Sequence, residues 1–499
     1  MKRLLAVITA ITLAITITTP TQAADPATPA VAGDAYNAEM TPRAEKSAMF
    51  LIGEDGAAQH FSMLTADGKP QADGTVAQWT CNSVTDSNCS AAKAKSIASS
   101  AILPVCDSTR TENCVVSLEL TNKDGVFEKA TYTRNPGGMN FAPNSTYGYT
   151  GGTTPSLWEA PFAPSASGTT GYAVIVRTRV FMEWSEKKFK TDSVVATVIP
   201  FRETTGNYKA PFQETVEKNH RGVSGIGIGG HGYECAWNEE GKCGVAQDFA
   251  SGVRVKLTVR VASEIGGWFK GRIKDPVIAV NKLNSKSNTI SVEAEPALVS
   301  KMVYQTSLAA LTSTERTYGM NNGMAGGWEN GFITWGESNR STTFNYLEYF
   351  RNKISDTASG SNTYWNFGTV RSNDRNNCLS DTSKVLGIVT TNSMVYDGGV
   401  PTFSGGFLNY KVAGLHYAPN GTDLNLGAYD MVMRSETARC LYKFSNAPLS
   451  ATVSVLNDKG AKTTATTVVS EKNGWLKLAA YGFTFSKKTI KVKITKKKK

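Results

Sequence analysis

Hydrophobic positions recur with a period of two over much of this chain. Val253, Val255, Leu257, Val259 and Val261 alternate with Arg254, Lys256, Thr258 and Arg260. Ile290, Val292 and Ala294 likewise alternate with Ser291, Glu293 and Glu295. Successive strand residues point to opposite faces, so the alternation predicts antiparallel sheet, apolar on one face and wet on the other. Val174–Trp184 and Val194–Ile199 are β-branched and also read as extended. Farther on, Val453 with Val455, Thr464–Val469, Trp475–Leu478, Phe483–Phe485 and Ile490–Ile494 continue the strands, with Asn473-Gly474 as a hairpin turn. Near the N-terminus, Met49–Ile52, Val115–Leu120 and Ala130–Tyr132 are short apolar runs among Asp-Gly pairs at 55–56, 67–68, 73–74 and 124–125. A different period appears once. Phe344, Leu347, Phe350 and Ile354 are spaced by three and four, which predicts a helix near 343–355 capped by Ser341 or Thr342.

The expected fold class is mainly β: antiparallel β-sandwich-like domains in tandem, with one notable α-helix. Composition shifts divide the chain further. Residues 1–23 read as a signal peptide and 24–45 as a flexible Ala/Pro/Thr-rich lead-in. An N-terminal β domain spans 46–134, and a Gly/Pro/Ser/Thr-rich linker or long surface loop spans 135–170. A central β-sandwich follows over 171–305, then a β-rich domain with the helix over 306–445, then a C-terminal β unit with a Lys-rich tail over 446–499.

With 499 residues, 40% hydrophobic and 19% charged, the chain has enough apolar material for real cores. Lys2 and Arg3 precede the apolar stretch Leu4–Ile17, and Thr21 and Ala23 occupy the −3 and −1 positions of a signal-peptidase site. That stretch is shorter than the roughly 20 residues a membrane helix needs. A secreted or cell-envelope-associated protein with no transmembrane span is therefore expected. The net charge is +11; without Lys2 and Arg3 it is +9, and the eight lysines of Lys487–Lys499 leave the body near +1. Basicity is thus a property of the tail, which argues against nucleic acid as a partner. Within the tail, Ile490, Val492 and Ile494 occupy one face and Lys491 and Lys493 the other, as in a last strand guarding a sheet edge. Lys496, Lys497, Lys498 and Lys499 form a cationic tip suited to an anionic envelope polymer or phospholipid headgroup.

Eight cysteines in an exported chain point to disulfides. Cys81–Cys89, Cys106–Cys114 and Cys235–Cys243 are each eight apart, a spacing that suits closure across a tight hairpin loop. Pairing neighbours leaves Cys378 with Cys440, 62 residues apart. A crosswise set, Cys81–Cys106 with Cys89–Cys114, remains open at this point. No Cys-x-x-Cys occurs, and no cysteine pair has a His pair nearby, so no metal is expected.

The blocks Ala438-Arg439-Cys440-Leu441-Tyr442, Val468 to Trp475 and Tyr481-Gly482-Phe483-Thr484-Phe485 resemble the C-terminal region of exported β-rich proteins of actinobacteria. The run Gly266-Gly267-Trp268-Phe269-Lys270-Gly271-Arg272 resembles their middle region. The resemblance covers roughly 250–495. It implies secretion and a β-rich build, and brings no catalytic residue.

Signals for chemistry are sparse. The histidines are His60, His220, His231 and His416, and neither His-Glu-x-x-His nor Gly-x-Ser-x-Gly is present. Gly227-Ile228-Gly229-Gly230-His231-Gly232 matches the dinucleotide pattern formally. Its flanks, Asn219 to Gly222 and Tyr233 to Cys235, supply neither the strand nor the helix the pattern requires, so it reads as a glycine-rich surface loop and no cofactor is expected. Asp423, Asn425 and Asp430 are a poor calcium signal, with no twelve-residue EF-type loop. Two aromatic clusters remain. Trp328 and Trp335 accompany Glu329 and Glu337 around a hairpin turn at Asn330-Gly331, an arrangement that could place two carboxylates and stacking faces on a sugar. Trp268 and Phe269, flanked by Lys270 and Arg272, could be an exposed aromatic platform for an anionic glycan or membrane, or could cover an open sandwich end. The leading expectation is a secreted or cell-surface, non-enzymatic binding or structural protein; the alternative is a secreted glycan-active hydrolase at Glu329 and Glu337.

Overall fold

The computed structural model describes residues 46–53, 59–217, 224–230, 234–262, 264–321, 323–327, 331–370, 376–444, 449–457 and 459–496. The expected signal peptide and lead-in lie outside these residues.

The protein is mainly β, as the alternation predicts, and is organised on one long sheet. Its order is Gln78–Thr80, Met63–Asp67, Ser96–Ile102, Gly171–Glu183, Lys190–Thr205, Gly360–Val370, Gly267–Lys282, Val385–Thr391, Leu426–Arg434, Trp475–Thr484 and Thr466–Lys472. Neighbours along it are antiparallel except Gly267–Lys282 with Val385–Thr391, which run parallel.

A second layer covers the middle of this sheet. Val255–Ala262 lies between Cys114–Thr121 and Ser287–Lys301, and every second side chain from Val255 to Val261 is buried, as the pattern predicts. The core between the layers contains Leu118, Val174, Val198, Leu257, Val292, Trp365 and Phe367. Two strands pass from one layer to the other. Gly267–Lys282 pairs in the long sheet through Arg272, then joins the second layer from Ile273 onward. The pairing register breaks between Lys274 and Val277, where Asp275 takes a φ of 54°. Ser287–Lys301 crosses in the same manner, and its last residues pair with Gly360–Val370.

Two smaller cores flank the central one. Phe407–Ala413, Lys488–Lys496 and Leu449–Asn457 pack over one end of the long sheet, burying Tyr410, Val453, Ile490, Val492, Met431 and Leu478 together. Ser47–Gly53 lies between Val303–Ser307, antiparallel, and Gly331–Glu337, parallel, with Phe50 and Phe332 packed on Leu347 and Phe350 of helix Ser341–Arg351. That helix is the one expected from the three-four spacing. Arg340 stands at its N-cap with no side-chain cap bond, so neither Ser341 nor Thr342 is the cap.

Strand pairing crosses the expected domain boundaries. The first strand is held by segments about 250 to 284 residues later, and Cys114–Thr121 pairs with Val255–Ala262. Residues 135–170, expected as a linker or long surface loop, are largely irregular but contain strand Ser156–Glu159, which pairs with Gly171–Glu183 and buries Trp158 in the central core. The C-terminal strand is also not an edge. Lys488–Lys496 is hydrogen-bonded on both sides, and Lys491 and Lys493 each lie 5.7 Å from the Phe407 ring centre.

Helix Ser313–Asn321 escaped the periodicity. Its stop-start signal is chemical: the Thr312 amide donates to Glu315 Oε2 at 2.8 Å, and the Glu315 amide donates to Thr312 Oγ1 at 3.2 Å. Only Glu315 and Gly319 of this helix are buried, so no apolar stripe announces it.

All four disulfides follow the neighbour pairing: Cys81–Cys89, Cys106–Cys114, Cys235–Cys243 and Cys378–Cys440, with Cα separations of 6.0, 4.9, 5.6 and 5.8 Å. The crosswise alternative is excluded. No helix among the described residues is long and apolar enough to cross a membrane.

Candidate functional site

The two sequence clusters have different outcomes. Trp328, Glu329 and Asn330 lie outside the described residues. The hairpin is formed, because Gly323–Gly327 pairs antiparallel with Gly331–Glu337. On the second strand, Phe332 and Thr334 turn to the buried side, while Trp335 is 36% exposed two residues from Glu337. The Glu337 carboxylate accepts from Arg340 Nε at 2.6 Å. Trp335 and Glu337 therefore share a face, and the carboxylate is already engaged with a cation.

Trp268 and Phe269 are not an exposed loop. Each is 1% exposed, in the interior of strand Gly267–Lys282. Phe269 packs against Phe367 in the central core, and Trp268 lies on the opposite face with its indole Nε1 donating to Leu379 O at 3.0 Å. The glycines of this run answer to packing. A Cβ on Gly266 would lie 2.0 Å from Thr382 O, and one on Gly271 would lie 2.3 Å from Asn366 O. Arg272 is wholly buried. Its Nη1 donates to Ser393 O and, at 3.1 Å, to Thr391 O, Nη2 donates to Met394 O at 3.5 Å, and the guanidinium carbon lies 4.2 Å from the Tyr396 ring centre. The pattern that suggested a binding platform thus encodes core packing around a buried cation.

The remaining candidates disperse. Gly225–Gly229 is a strand paired with Phe212–Val216, while His220 and His231 lie outside the described residues. His60 Nε2 sits 2.5 Å from Asn238 Oδ1, and His416 Nδ1 sits 3.1 Å from Phe485 O. Asn425 Nδ2 donates to the carbonyls of Leu415 and Tyr417, Asp423 accepts from Asn420, and Asp430 lies in the long sheet, so these three do not converge on a cation. Among the described residues, one group of ligand-type side chains lies within 4.8 Å: Glu234, Cys235 and Cys243. Its two sulfurs are bonded to each other and cannot ligate. The strand carrying the basic tail extends to Lys496, opposite Leu449, and Lys497, Lys498 and Lys499 lie beyond the described residues.

Two features were not legible in the sequence. The first is a charged cluster at the Asp275 bend. Asp430, 1% exposed, accepts from the Tyr481 hydroxyl and, at 3.1 Å, from the Asp275 amide. Lys477 Nζ contacts the Asp275 carboxylate and lies 3.8 Å from Asp430. Arg254 binds Asp275 at 2.8 Å and Glu293 at 3.0 Å, and Lys274 binds Glu295 at 2.9 Å. Burial pushes the Asp430 carboxyl up to about 6, against the pull of Tyr481 and Lys477. Burial would raise Asp275 too, but Lys477 and Arg254 hold it below the usual carboxylate range. Carboxyls driven apart in this way occur in acid–base sites and in structural ion-pair networks alike. Here three cations, Arg254, Lys274 and Lys477, face four acids, Asp275, Glu293, Glu295 and Asp430, and the network ties the second layer to the far strands of the long sheet. Arg254, Glu293 and Glu295 were legible only as the wet face of alternating strands.

The second feature is a cavity of about 400 Å3 where strands Lys190–Thr205, Gly267–Lys282 and Gly360–Val370 meet helix Asn377–Ser380. Asp192 and Glu264 contribute to its lining, with Ser380, and Ile265, Trp268 and Leu379 form its apolar part. The register between Lys190–Thr205 and Gly171–Glu183 shifts at Asp192, so this residue sits in a bulge, a device that re-aims a side chain. Glu264 Oε2 accepts the Thr191 amide at 3.1 Å, tying the two acids' segments together. Trp268, singled out as a ligand contact, is here a neighbour of the cavity rather than an exposed platform.

No family model, curated protein or solved structure matches this chain.

Proposed function

We propose that the chain is an exported, disulfide-braced binding or structural protein that acts outside the reducing cytoplasm, without chemistry of its own. The observation that carries this reading is the complete pairing of its cysteines: four disulfides and no free thiol among the described residues. Glutathione and thioredoxin keep cytosolic thiols reduced, so such a set belongs to secreted or envelope-associated proteins. The basic-apolar N-terminus and the resemblance to exported β-rich proteins point the same way.

The partner we assign to the basic tail is an anionic envelope polymer. Lys488–Lys496 is locked between two strands, so the lysines that follow are tethered to a folded body. Glycan hydrolysis at Glu329 and Glu337 is the less favoured reading, because Glu337 is held by Arg340.

The test is retention of residues 24–499 on purified cell wall and anionic liposomes across a salt series. Truncation ahead of Lys487 would remove an interior strand, so the informative variant replaces Lys496–Lys499 with Gln. Retention should fall steeply with salt and in this variant, because screening acts over about 10 Å at 0.1 M salt. Equal, salt-insensitive retention of both proteins would reject the tail as the attachment.

A further inference from the structure

We infer that Lys477 and Asp275 are the two halves of an intramolecular isopeptide bond, formed by the chain on itself with Asp430 as the proton relay. The inference goes beyond the non-enzymatic reading above: the reaction occurs once, joins two of the chain's own side chains and consumes no outside molecule.

Geometry carries the argument. Lys477, on strand Trp475–Thr484, brings its Nζ against Asp275 Oδ1 across 202 positions of sequence. The neighbouring strand Leu426–Arg434 places Asp430 beside this pair. Asp430 Oδ1 lies 3.8 Å from Lys477 Nζ, and Asp430 Oδ2 accepts the Asp275 amide at 3.1 Å. One carboxyl thus stands next to the nitrogen and also fixes the backbone of the acid, and the Tyr481 hydroxyl bonded to it holds it in place. From the other side, Arg254 Nη1 donates to Asp275 Oδ2 at 2.8 Å and Nη2 donates to the Asp275 carbonyl at 3.0 Å. The Lys477 side chain is 18% exposed and that of Asp430 1%, so little water reaches the nitrogen or the relay. The Asp275 side chain, 39% exposed, leaves an expelled water a way out. An ion pair between Lys477 and Asp275 alone does not call for a second, buried acid at its nitrogen, whose desolvation the fold must offset. A proton relay gives that acid a use.

The reaction balances within the chain. In the ion pair the lysine nitrogen carries three protons and the Asp275 carboxylate none. Asp430, ionised, takes one proton from Nζ, and the freed lone pair attacks Cγ of Asp275 to form the C–N bond. Negative charge then grows on Oδ2, where the Arg254 guanidinium already sits. Asp430 hands its proton to Oδ1, the oxygen on the lysine side, then takes a second from nitrogen and delivers it to the same oxygen. The bond from Cγ to Oδ1 breaks, one water leaves and an amide remains. Asp430 ends with the proton count it began with. Burial pushes its carboxyl up to about 6, which suits a group that must both take and return a proton. Amines and carboxylates do not condense appreciably when free in water, but partners fixed in the reactive geometry act as if at roughly 10⁵–10⁸ M.

The experiment is intact mass spectrometry of residues 24–499, reduced and denatured, followed by tryptic mapping. The parent should weigh less than its sequence by one water. Trypsin should fail to cut after Lys477, and a branched peptide should join the segments of Asp275 and Lys477. Asp275→Asn should lose one ammonia in place of water, because the side-chain nitrogen of Asn is then the leaving group. Lys477→Met and Asp430→Asn should both show the full sequence mass. Both should also run differently from the parent on a reducing denaturing gel, since the parent keeps a loop closed between positions 202 apart. A full-mass parent would overturn the inference and leave an ion pair only. So would a water lost as a succinimide at an Asp-Gly pair, with Lys477 still cleaved. A cross-link that persists in Asp430→Asn would overturn the relay. Should Asp430→Asn fail to fold, the ammonia lost by Asp275→Asn still decides the bond. Wall attachment through the lysines would stand in each of these cases.

Discussion

Arg272 and Asp430 are buried ionisable side chains on nearby strands of the same sheet, and the protein accommodates them by different means. Arg272 is surrounded by fixed dipoles: carbonyls of Thr391, Ser393 and Met394 accept its protons, and the Tyr396 face lies against the cation. A guanidinium keeps its charge and offers five donors in a plane, so it can be solvated by backbone alone. Asp430 is met by two donors, the Tyr481 hydroxyl and the Asp275 amide, with Lys477 a little farther off. That is not enough to offset desolvation, and its carboxyl responds by holding its proton up to about pH 6. The difference teaches that burial of a charge is neutral, costly or pH-dependent according to how many oriented partners the fold delivers.

The largest effect that would break this comparison is expected at Arg272. Arg272→Ala should leave three buried carbonyls without donors and open a cavity, costing about 4 kcal/mol or more in urea unfolding. Arg272→Lys should recover little, because an ammonium cannot reproduce the planar fork. A loss below about 1 kcal/mol for the Ala variant would show that the cation is not the centre of that packing.

Asp430 sharpens the comparison through pH. Its folded pKa is raised above the ordinary 3.8, so the stability it contributes is fully present below that value and is lost as pH rises through about 6. Carboxyls held low, such as Asp275, Glu239 and Glu315, act in the opposite sense, so the whole-protein curve does not isolate it. The difference between the parent and Asp430→Asn does. Relative to that variant, the parent should lose about 2 kcal/mol between pH 4 and pH 7, because pH 4 already lies above the unfolded value and part of the shift of about two pH units is spent below it. A flat difference would refute the raised carboxyl; because Asp430 and Asp275 share Lys477, the fitted midpoint belongs to the pair.

A smaller effect is expected at Tyr481. Tyr481→Phe removes a hydrogen bond to the buried carboxyl and should cost about 2 kcal/mol at pH 7 and less at pH 4, where Asp430 is protonated. An equal cost at both values would mean that the hydroxyl serves packing alone.

Legibility followed the range of the interaction. Val255–Ala262 was readable because an alternating strand against one core writes its burial into every second residue. The three short disulfides were readable because a separation of eight leaves few geometries, and the fourth followed by exhaustion. Trp268 and Phe269 misled for the same reason that they fold well. An aromatic pair between glycines looks like a loop, whereas the glycines admit the neighbouring backbones of Thr382 and Asn366. The acids of the cavity carried no local signal at all. Asp192 and Glu264 are 72 positions apart, and only the bulge and the Thr191 contact bring their segments together.

The chain by itself determined its β character and the helix at Ser341–Arg351 and favoured the neighbour pairing of its cysteines, while the choice against the crosswise set came from the structure, because period and spacing within a short segment are local. Tertiary structure alone decided which strands became neighbours. Pairing energy is nearly the same for many partners, and the choice is made by which faces can be buried together. That choice turned an expected linker into a core strand and an expected edge into an interior strand. It also sealed Arg272 inside and assembled a cavity from strands and a helix that the sequence keeps far apart.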